Sequence, residues 1–143
     1  MSKGNTFETD LLKLIFNATA IANIADNAAA APLTDLYVSL HTADPGEAGD
    51  QTTNETAYTP YARIAVARTS GGWTVAANSV SPVADIDFAE CTASPGATIT
   101  HAAVGTAASG AGKILYSGAL SPTIVMGVGV LPRVKTTSTV TED

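Results

Sequence analysis

Charged and sulfur-containing side chains are scarce in this sequence. Asp, Glu, Lys and Arg make up 14% of its 143 residues, against about 25% in typical soluble domains. The single Cys91 excludes an internal disulfide, so we expect synthesis in a reducing host cytoplasm. No secretory signal is apparent at the N-terminus, and no apolar run approaches the length of a membrane-spanning helix. We therefore expect no membrane partner.

Basic residues are the scarcer of the two charge signs. The sequence has thirteen acidic and seven basic residues, which gives a net charge of −6, and it contains no basic run. An acidic surface repels phosphate backbones, so we expect no nucleic-acid partner. Few charges also leave a surface of Thr, Ser, Asn and Ala, which suits a β-rich protein packed against neighbours in an assembly.

The residue patterns of catalysis and cofactor binding are missing. The glycine-rich segment from Gly105 to Lys113 resembles a phosphate-binding loop, but Lys113 is followed by Ile114 instead of Ser or Thr. The two histidines, His41 and His101, lie in predicted strands, and no G-x-S-x-G segment exists. They also lack the spacing of a zinc site. We expect no enzymatic activity, no cofactor and no catalytic or metal-binding residues.

An acidic loop follows the predicted strand at residues 36–42, whose alternating apolar residues indicate a strand with one buried and one wet face. Its carboxylates include Asp44, Glu47 and Asp50, and a DPG turn opens it. Hard oxygen ligands of this kind could hold Ca²⁺, although the EF-hand spacing is absent. The other interpretations are a solvated loop, or a loop that faces a basic patch on a partner.

Alternating apolar residues, interrupted by turn signals, are what the sequence does contain. Short strands at near-regular spacing predict a mainly β fold, an antiparallel β-sandwich or jelly-roll-like domain. Among the predicted strands are residues 113–117, 123–130 and 133–141, and a break is predicted at residues 78–82. Before them, helical spacing predicts one helix over residues 6–22. We divide the chain into an N-terminal helical arm and connector, residues 1–32, and a β-sandwich domain, residues 33–143, within one structural domain overall.

Two apolar stretches are candidate partner contacts. One is the helix stripe, which lies either on its own core or against a neighbouring subunit. The other is the predicted strand at residues 123–130, whose glycines leave one face bare for close approach. With the acidic loop, the candidate contact residues are Phe7, Leu11, Leu14, Ile15, Asp44, Glu47, Asp50, Ile124, Met126 and Val128.

The segment LYVSLHTADPGEAG, followed by Tyr61-Ala62-Arg63, resembles a family of small tailed-phage virion proteins. These are labelled tail-fibre-like or head-decoration proteins. The resemblance implies a structural virion protein. In the version we favour it is a capsid cement (decoration) protein that stabilises the phage head. It would form a homo-oligomer, expected to be a trimer, on the major capsid protein.

Two other functions stay open at this point. A tail-tip or tail-fibre protein would bind tail proteins instead, but only 6% of residues are aromatic and no stalk repeat is present. A carbohydrate-binding β-sandwich module would need an aromatic platform, for which Trp73, Tyr58 and Tyr61 are the candidates.

Overall fold

The computed structural model describes residues 5–21, 25, 32–94 and 96–142. These residues form one helix and nine strands: α1 (Asn5–Asn17), β1 (Asp35–His41), β2 (Ile64–Ala67), β3 (Trp73–Ala76), β4 (Ser79–Pro82), β5 (Ile86–Asp87), β6 (Thr98–Gly105), β7 (Ile114–Val125), β8 (Arg133–Val134) and β9 (Val140–Thr141). The predicted class is confirmed: the protein is mainly β, with antiparallel sheets and one N-terminal helix.

The chain divides into two compact units. Unit 1 comprises Met1–Asp35, Val66–Ile86 and Val134–Asp143, and unit 2 comprises Leu36–Ala65 and Asp87–Arg133. Unit 1 therefore combines the N-terminal helix with strands from the middle and the end of the chain. The boundary near residue 32 that we predicted from the sequence stays a prediction.

Unit 1 is built on a three-stranded sheet in the order β3-β4-β9, against which α1 packs. The helix buries Glu8, Leu12 and Phe16, one residue per turn. The Phe16 ring meets Trp73 edge-on, with centroids 4.9 Å apart. Such a contact adds about 0.5–1.5 kcal/mol to the gain from buried area.

The helix ends at Asn17, before the predicted end at residue 22. Ala18 has a φ of 52°, which is left-handed backbone and stops the helix. The Arg68 guanidinium donates to the carbonyls of Leu14 and Ile15, two acceptors in the last turn that have no partner within the helix. Burial lowers the pKa of Arg68 from its usual value. Residues 22–24 lie outside the described part of the chain.

Unit 2 contains most of a four-stranded sheet in the order β2-β1-β6-β7; the first residue of β1, Asp35, and the last two residues of β2 belong to unit 1. Strand β1 pairs antiparallel with β6, placing Val38 opposite Val104. Buried Leu36, Val38, Leu40 and Ile99 supply the core of this sheet.

Several predicted strand boundaries are wrong. The sequence predicted separate strands at residues 113–117 and 123–130, but a single strand, β7, spans Ile114–Val125, and its pairing with β6 contains two register shifts. Pro122 lies inside it, which is tolerated because β7 is the outermost strand. The predicted break at residues 78–82 contains β4, a hairpin partner of β3. The predicted last strand, residues 133–141, is two short strands, β8 and β9, separated by a turn.

Candidate interaction surface

The loop at residues 42–57 folds back on strand β1. We expected β1 to have one wet face, but Ser39 and His41 are fully buried, as are the alternating leucines. The Ser39 hydroxyl lies 2.9 Å from Nε2 of His41, and Nδ1 of His41 lies 2.9 Å from the Thr53 carbonyl. Burial lowers the pKa of His41, which favours the neutral form of the ring. His41 therefore anchors the loop to the strand.

Gln51 anchors the same loop to the glycine-rich segment. Its side chain is fully buried, and its Oε1 accepts a 2.9 Å hydrogen bond from the Ala107 amide. A Cβ added at Gly105 or Gly112 would lie 2.2 Å or 2.1 Å from Gln51 side-chain atoms. The glycines that resembled a phosphate-binding loop thus make room for an amide side chain.

A buried ion pair closes the base of the loop. Arg63 Nε and one terminal nitrogen donate to the two Glu55 oxygens at 2.7 and 2.8 Å, while Tyr61 donates to Glu55 at 2.8 Å. Two further Arg63 N–H groups donate to the carbonyls of Ala107 and Gly110. Because both charges are paired and most donors are used, their burial is compensated. The Glu55 carboxylate raises the pKa of Arg63.

The exposed acids of the loop form turns of their own backbone. Asp44 accepts from the Gly46 amide at 2.8 Å, and Asp50 accepts from the amide and hydroxyl of Thr52. The Thr52 contacts lower the pKa of Asp50. These are capping interactions of short polar side chains. Among the described residues, no group of three or more His, Cys, Asp or Glu side chains is placed to hold a metal ion.

A groove of about 510 Å³ separates this loop from the start of β7. Its loop side includes Asp44 and Glu47, and its strand side is formed by consecutive residues from Ile114 to Ser117. The groove therefore has acidic residues on one wall and uncharged residues on the other. All of its lining residues belong to unit 2.

Strand β7 forms the outer edge of the sheet beside the groove. Most of its residues are exposed or half-buried, and Val125 is 70% exposed. Beyond the strand, Val128 is 76% and Leu131 45% exposed. No charged residue occurs between Lys113 and Arg133. This uncharged edge, residues 114–132, is the clearest apolar surface of unit 2.

The predicted contact residues fall in both units. Phe7, Leu11, Leu14 and Ile15 lie on α1, where Phe7 is 40% exposed and the other three are half-buried. Asp44, Glu47 and Asp50 lie in the loop at the groove, although Asp50 does not line it. Ile124 is half-buried on β7, Met126 is only 4% exposed, and Val128 is open. Their roles in binding stay predictions.

The burial of the residues that hold the loop was not predicted from the sequence. Gln51, Tyr61 and Arg63 have no charge or apolar pattern that marks them as buried. The Y-A-R segment did contain two of them, Tyr61 and Arg63, and the structure shows what they do. Trp73 is 3% exposed and Tyr58 3% exposed, so neither ring provides an open platform for a sugar.

The Ser39–His41 contact is a buried structural pair, because both side chains are fully inaccessible and the third group is a backbone carbonyl. The absence of catalytic activity stays a prediction. No helix in the described part of the chain has the length and apolar character needed to cross a membrane.

A family model described as "Podophage GP4 fiber I protein gp80" matches residues 4–140. The protein is thus a structural protein of the tailed-phage virion, in the class that the LYVSLHTADPGEAG segment suggested. More narrowly, the chain belongs to the podophage GP4 fiber I protein gp80 family. A search of curated proteins gave no match.

Proposed function

We propose that the protein is a non-catalytic subunit of a phage fibre, attached to the outside of the particle in several copies. The observation that carries this proposal is the family match across residues 4–140, whose description names a fibre protein. The uncharged edge at residues 114–132 supports it, because a subunit of an assembly needs surface that neighbours can cover.

Attachment through apolar surface follows from the distribution of charge. Exposed ion pairs contribute only about 0–1 kcal/mol each, and the chain has only seven basic residues. Apolar surface contributes about 25 cal/mol per Å² removed from water. Val125, Val128 and Leu131 offer such surface in one unit. The acidic wall of the groove would add orientation and a salt-dependent association rate.

Binding to the major capsid protein as a head cement protein is the second candidate. It is favoured by the lack of a stalk or heptad repeat in the sequence and by the two compact units. The proposals differ in partner, tail proteins in one case and the capsid lattice in the other. In both, a protein that binds only the assembled particle stabilises it by mass action. The expected trimer stays a prediction.

The proposal is tested by adding purified protein to particles that lack it. We expect wild-type protein to bind and to remain bound at high salt, because apolar contacts are little screened. Val128→Asp should lower occupancy strongly, whereas the control Val83→Asp, at a 47% exposed valine of unit 1, should not. Full occupancy by Val128→Asp, or complete release by salt, would contradict this mode of attachment.

A further inference from the structure

The groove beside β7 is lined partly by the main chain of that strand. Its strand side consists of four consecutive residues, Ile114–Ser117. Side chains alternate between the two faces of a strand, so a wall of four consecutive residues includes the edge of the strand. Strand β7 is the outermost strand, and Leu115 has no opposite residue on β6 because the register shifts between Val104 and Gly105. Backbone groups that face away from β6 therefore contribute to this wall.

The opposite wall carries two carboxylates on a preformed loop. One oxygen of Asp44 accepts from the Gly46 amide, which fixes that side chain. Glu47 is exposed, and the described part of the chain contains no ion pair to it. The backbone between them is tightly folded, since a Cβ added at Gly49 would lie 2.1 Å from the Pro45 carbonyl oxygen. A preformed wall loses little conformational entropy when a ligand binds.

The cations of unit 2 do not neutralise this wall. The basic residues of the unit are Arg63, Lys113 and Arg133. Arg63 is paired with Glu55, and Arg133 is paired with Asp87. Lys113 is exposed and does not line the groove. The carboxylates of the groove therefore attract a cation from another molecule.

The chain itself shows which cation suits such a set of acceptors. The Arg63 guanidinium donates to the Glu55 carboxylate and to the carbonyls of Ala107 and Gly110. A guanidinium has five N–H donors in one plane, so it can use carboxylate and carbonyl oxygens at the same time. The groove offers the same two kinds of acceptor, carboxylates on one wall and backbone carbonyls on the other.

We propose that the groove binds an arginine side chain of a neighbouring protein in the particle. Asp44 and Glu47 accept from the guanidinium, backbone carbonyls at the edge of β7 accept from its other donors, and Tyr116 offers a ring for stacking. The groove volume of about 510 Å³ lies within the roughly 300–1,000 Å³ of ligand pockets. The inference deepens the proposed function, because it names the chemistry of the partner.

A calcium ion is a poorer fit to the same groove. Ca²⁺ takes about six to eight oxygen ligands at about 2.3–2.6 Å. The groove is lined by two carboxylates, and no group of three or more metal-ligating side chains is present within the described ranges. An arginine needs fewer contacts, although exposed charges are screened by salt. A single arginine should therefore bind weakly and gain strength when many copies engage one particle.

Titration of ¹⁵N-labelled protein with blocked arginine, N-acetyl-arginine methylamide, tests the site without particles. At low salt the amide signals of Gly46, Gly49 and Tyr116 should shift with a Kd of about 1–10 mM. Blocked citrulline has nearly the same shape without the charge and should cause no shift, and blocked lysine should bind at least about threefold more weakly. No shift at about 50 mM arginine, or equal shifts with citrulline or lysine, would overturn the proposal. Shifts caused by calcium and not by arginine would also overturn it.

Two substitutions with the same change of net charge separate a site from general attraction. Glu47→Gln should weaken arginine binding at least about fivefold, because it removes a charged acceptor. The control Glu90→Gln, at an exposed acid of unit 2 that does not line the groove, should leave binding unchanged. Asp44→Asn keeps an oxygen for the Gly46 amide, so it should weaken binding without lowering the melting temperature. Equal effects of Glu47→Gln and Glu90→Gln would overturn the site.

Association with particles that lack the protein tests the partner. Glu47→Gln should associate more slowly than wild type at low salt and equally fast at high salt, because the groove acts through charge. Equal rates at both salt concentrations would overturn the assignment of the groove to a partner. Protein that occupies particles and binds no arginine refutes the groove site alone. Protein that binds arginine and never occupies particles refutes the proposed function.

Discussion

Replacing Gly105 with alanine should destabilise unit 2 through Gln51. The new Cβ would lie 2.2 Å from Cδ and 2.5 Å from both terminal atoms of Gln51, and no other residue is among its three nearest atoms. Gln51 is fully buried, so its side chain cannot move away without losing the hydrogen bond from the Ala107 amide. Overpacking typically costs about 1–3 kcal/mol, and we expect a loss of about 2 kcal/mol in unfolding free energy.

Urea unfolding of four proteins checks this prediction: wild type, Gly105→Ala, Gln51→Ala and the double variant. Gln51→Ala alone should cost about 2–3 kcal/mol, from lost packing and an unsatisfied amide. The double variant should be no less stable than Gln51→Ala, because the clash is gone, which gives a coupling of about 2 kcal/mol. The control Gly118→Ala, with open space around it, should be neutral. Additive effects, or a Gly105→Ala variant as stable as wild type, would refute the packing of Gln51 described here.

Three further outcomes are expected in stability measurements. Gly46→Val should cost about 1 kcal/mol or more of unfolding free energy because Gly46 has a φ of +71°. The control Gly127→Val, at a φ outside the left-handed region, should cost less. Equal melting temperatures for the two variants would refute the turn assignment at Gly46. Burial lowers the pKa of His41 in the folded protein, so the unfolded chain binds the proton more readily as the pH falls. The unfolding free energy should therefore decrease as the pH drops below about 6.5, and replacing His41 should flatten this dependence. An unfolding free energy that does not change between pH 7 and pH 5 would contradict this. Arg63→Met should cost up to about 3–5 kcal/mol by removing the cation from the Glu55 carboxylate, whose side chain is only 16% exposed. Arg133→Met, whose ion pair is 46% exposed on both sides, should cost under about 1 kcal/mol. Similar losses for the two variants in denaturant melts would show that burial of the Arg63 pair is not what matters.

The class of fold was accessible from the sequence because alternation and turn residues are local signals. Strand β1 was expected at residues 36–42 and spans Asp35–His41. Strand β7 was divided incorrectly because Pro122 normally ends a strand, and only the sheet order shows that β7 lies at an edge, where proline is tolerated. The end of α1 was missed because Ala18 gives no sign of its left-handed backbone.

The chemistry of the loop could not be predicted for a different reason. The Gly105–Gly112 spacing suggested a ligand loop that lacks its Ser or Thr, and only the structure shows Gln51 occupying that space. The exposed acids were recognised from composition. The buried partners of the same loop depend on contacts between residues 8 to 56 positions apart, such as Arg63 with Glu55 and Ala107 with Gln51, which carry no periodic signal.

Localising the protein in intact particles tests the central claim most directly. A small tag on the exposed turn at Thr137, in unit 1 and outside the uncharged edge, can be imaged by electron microscopy of labelled particles. We expect label in several copies at the fibres. Label spread over the capsid lattice would favour the cement function instead, and particles without label despite normal expression of the tagged protein would contradict a structural role in the virion.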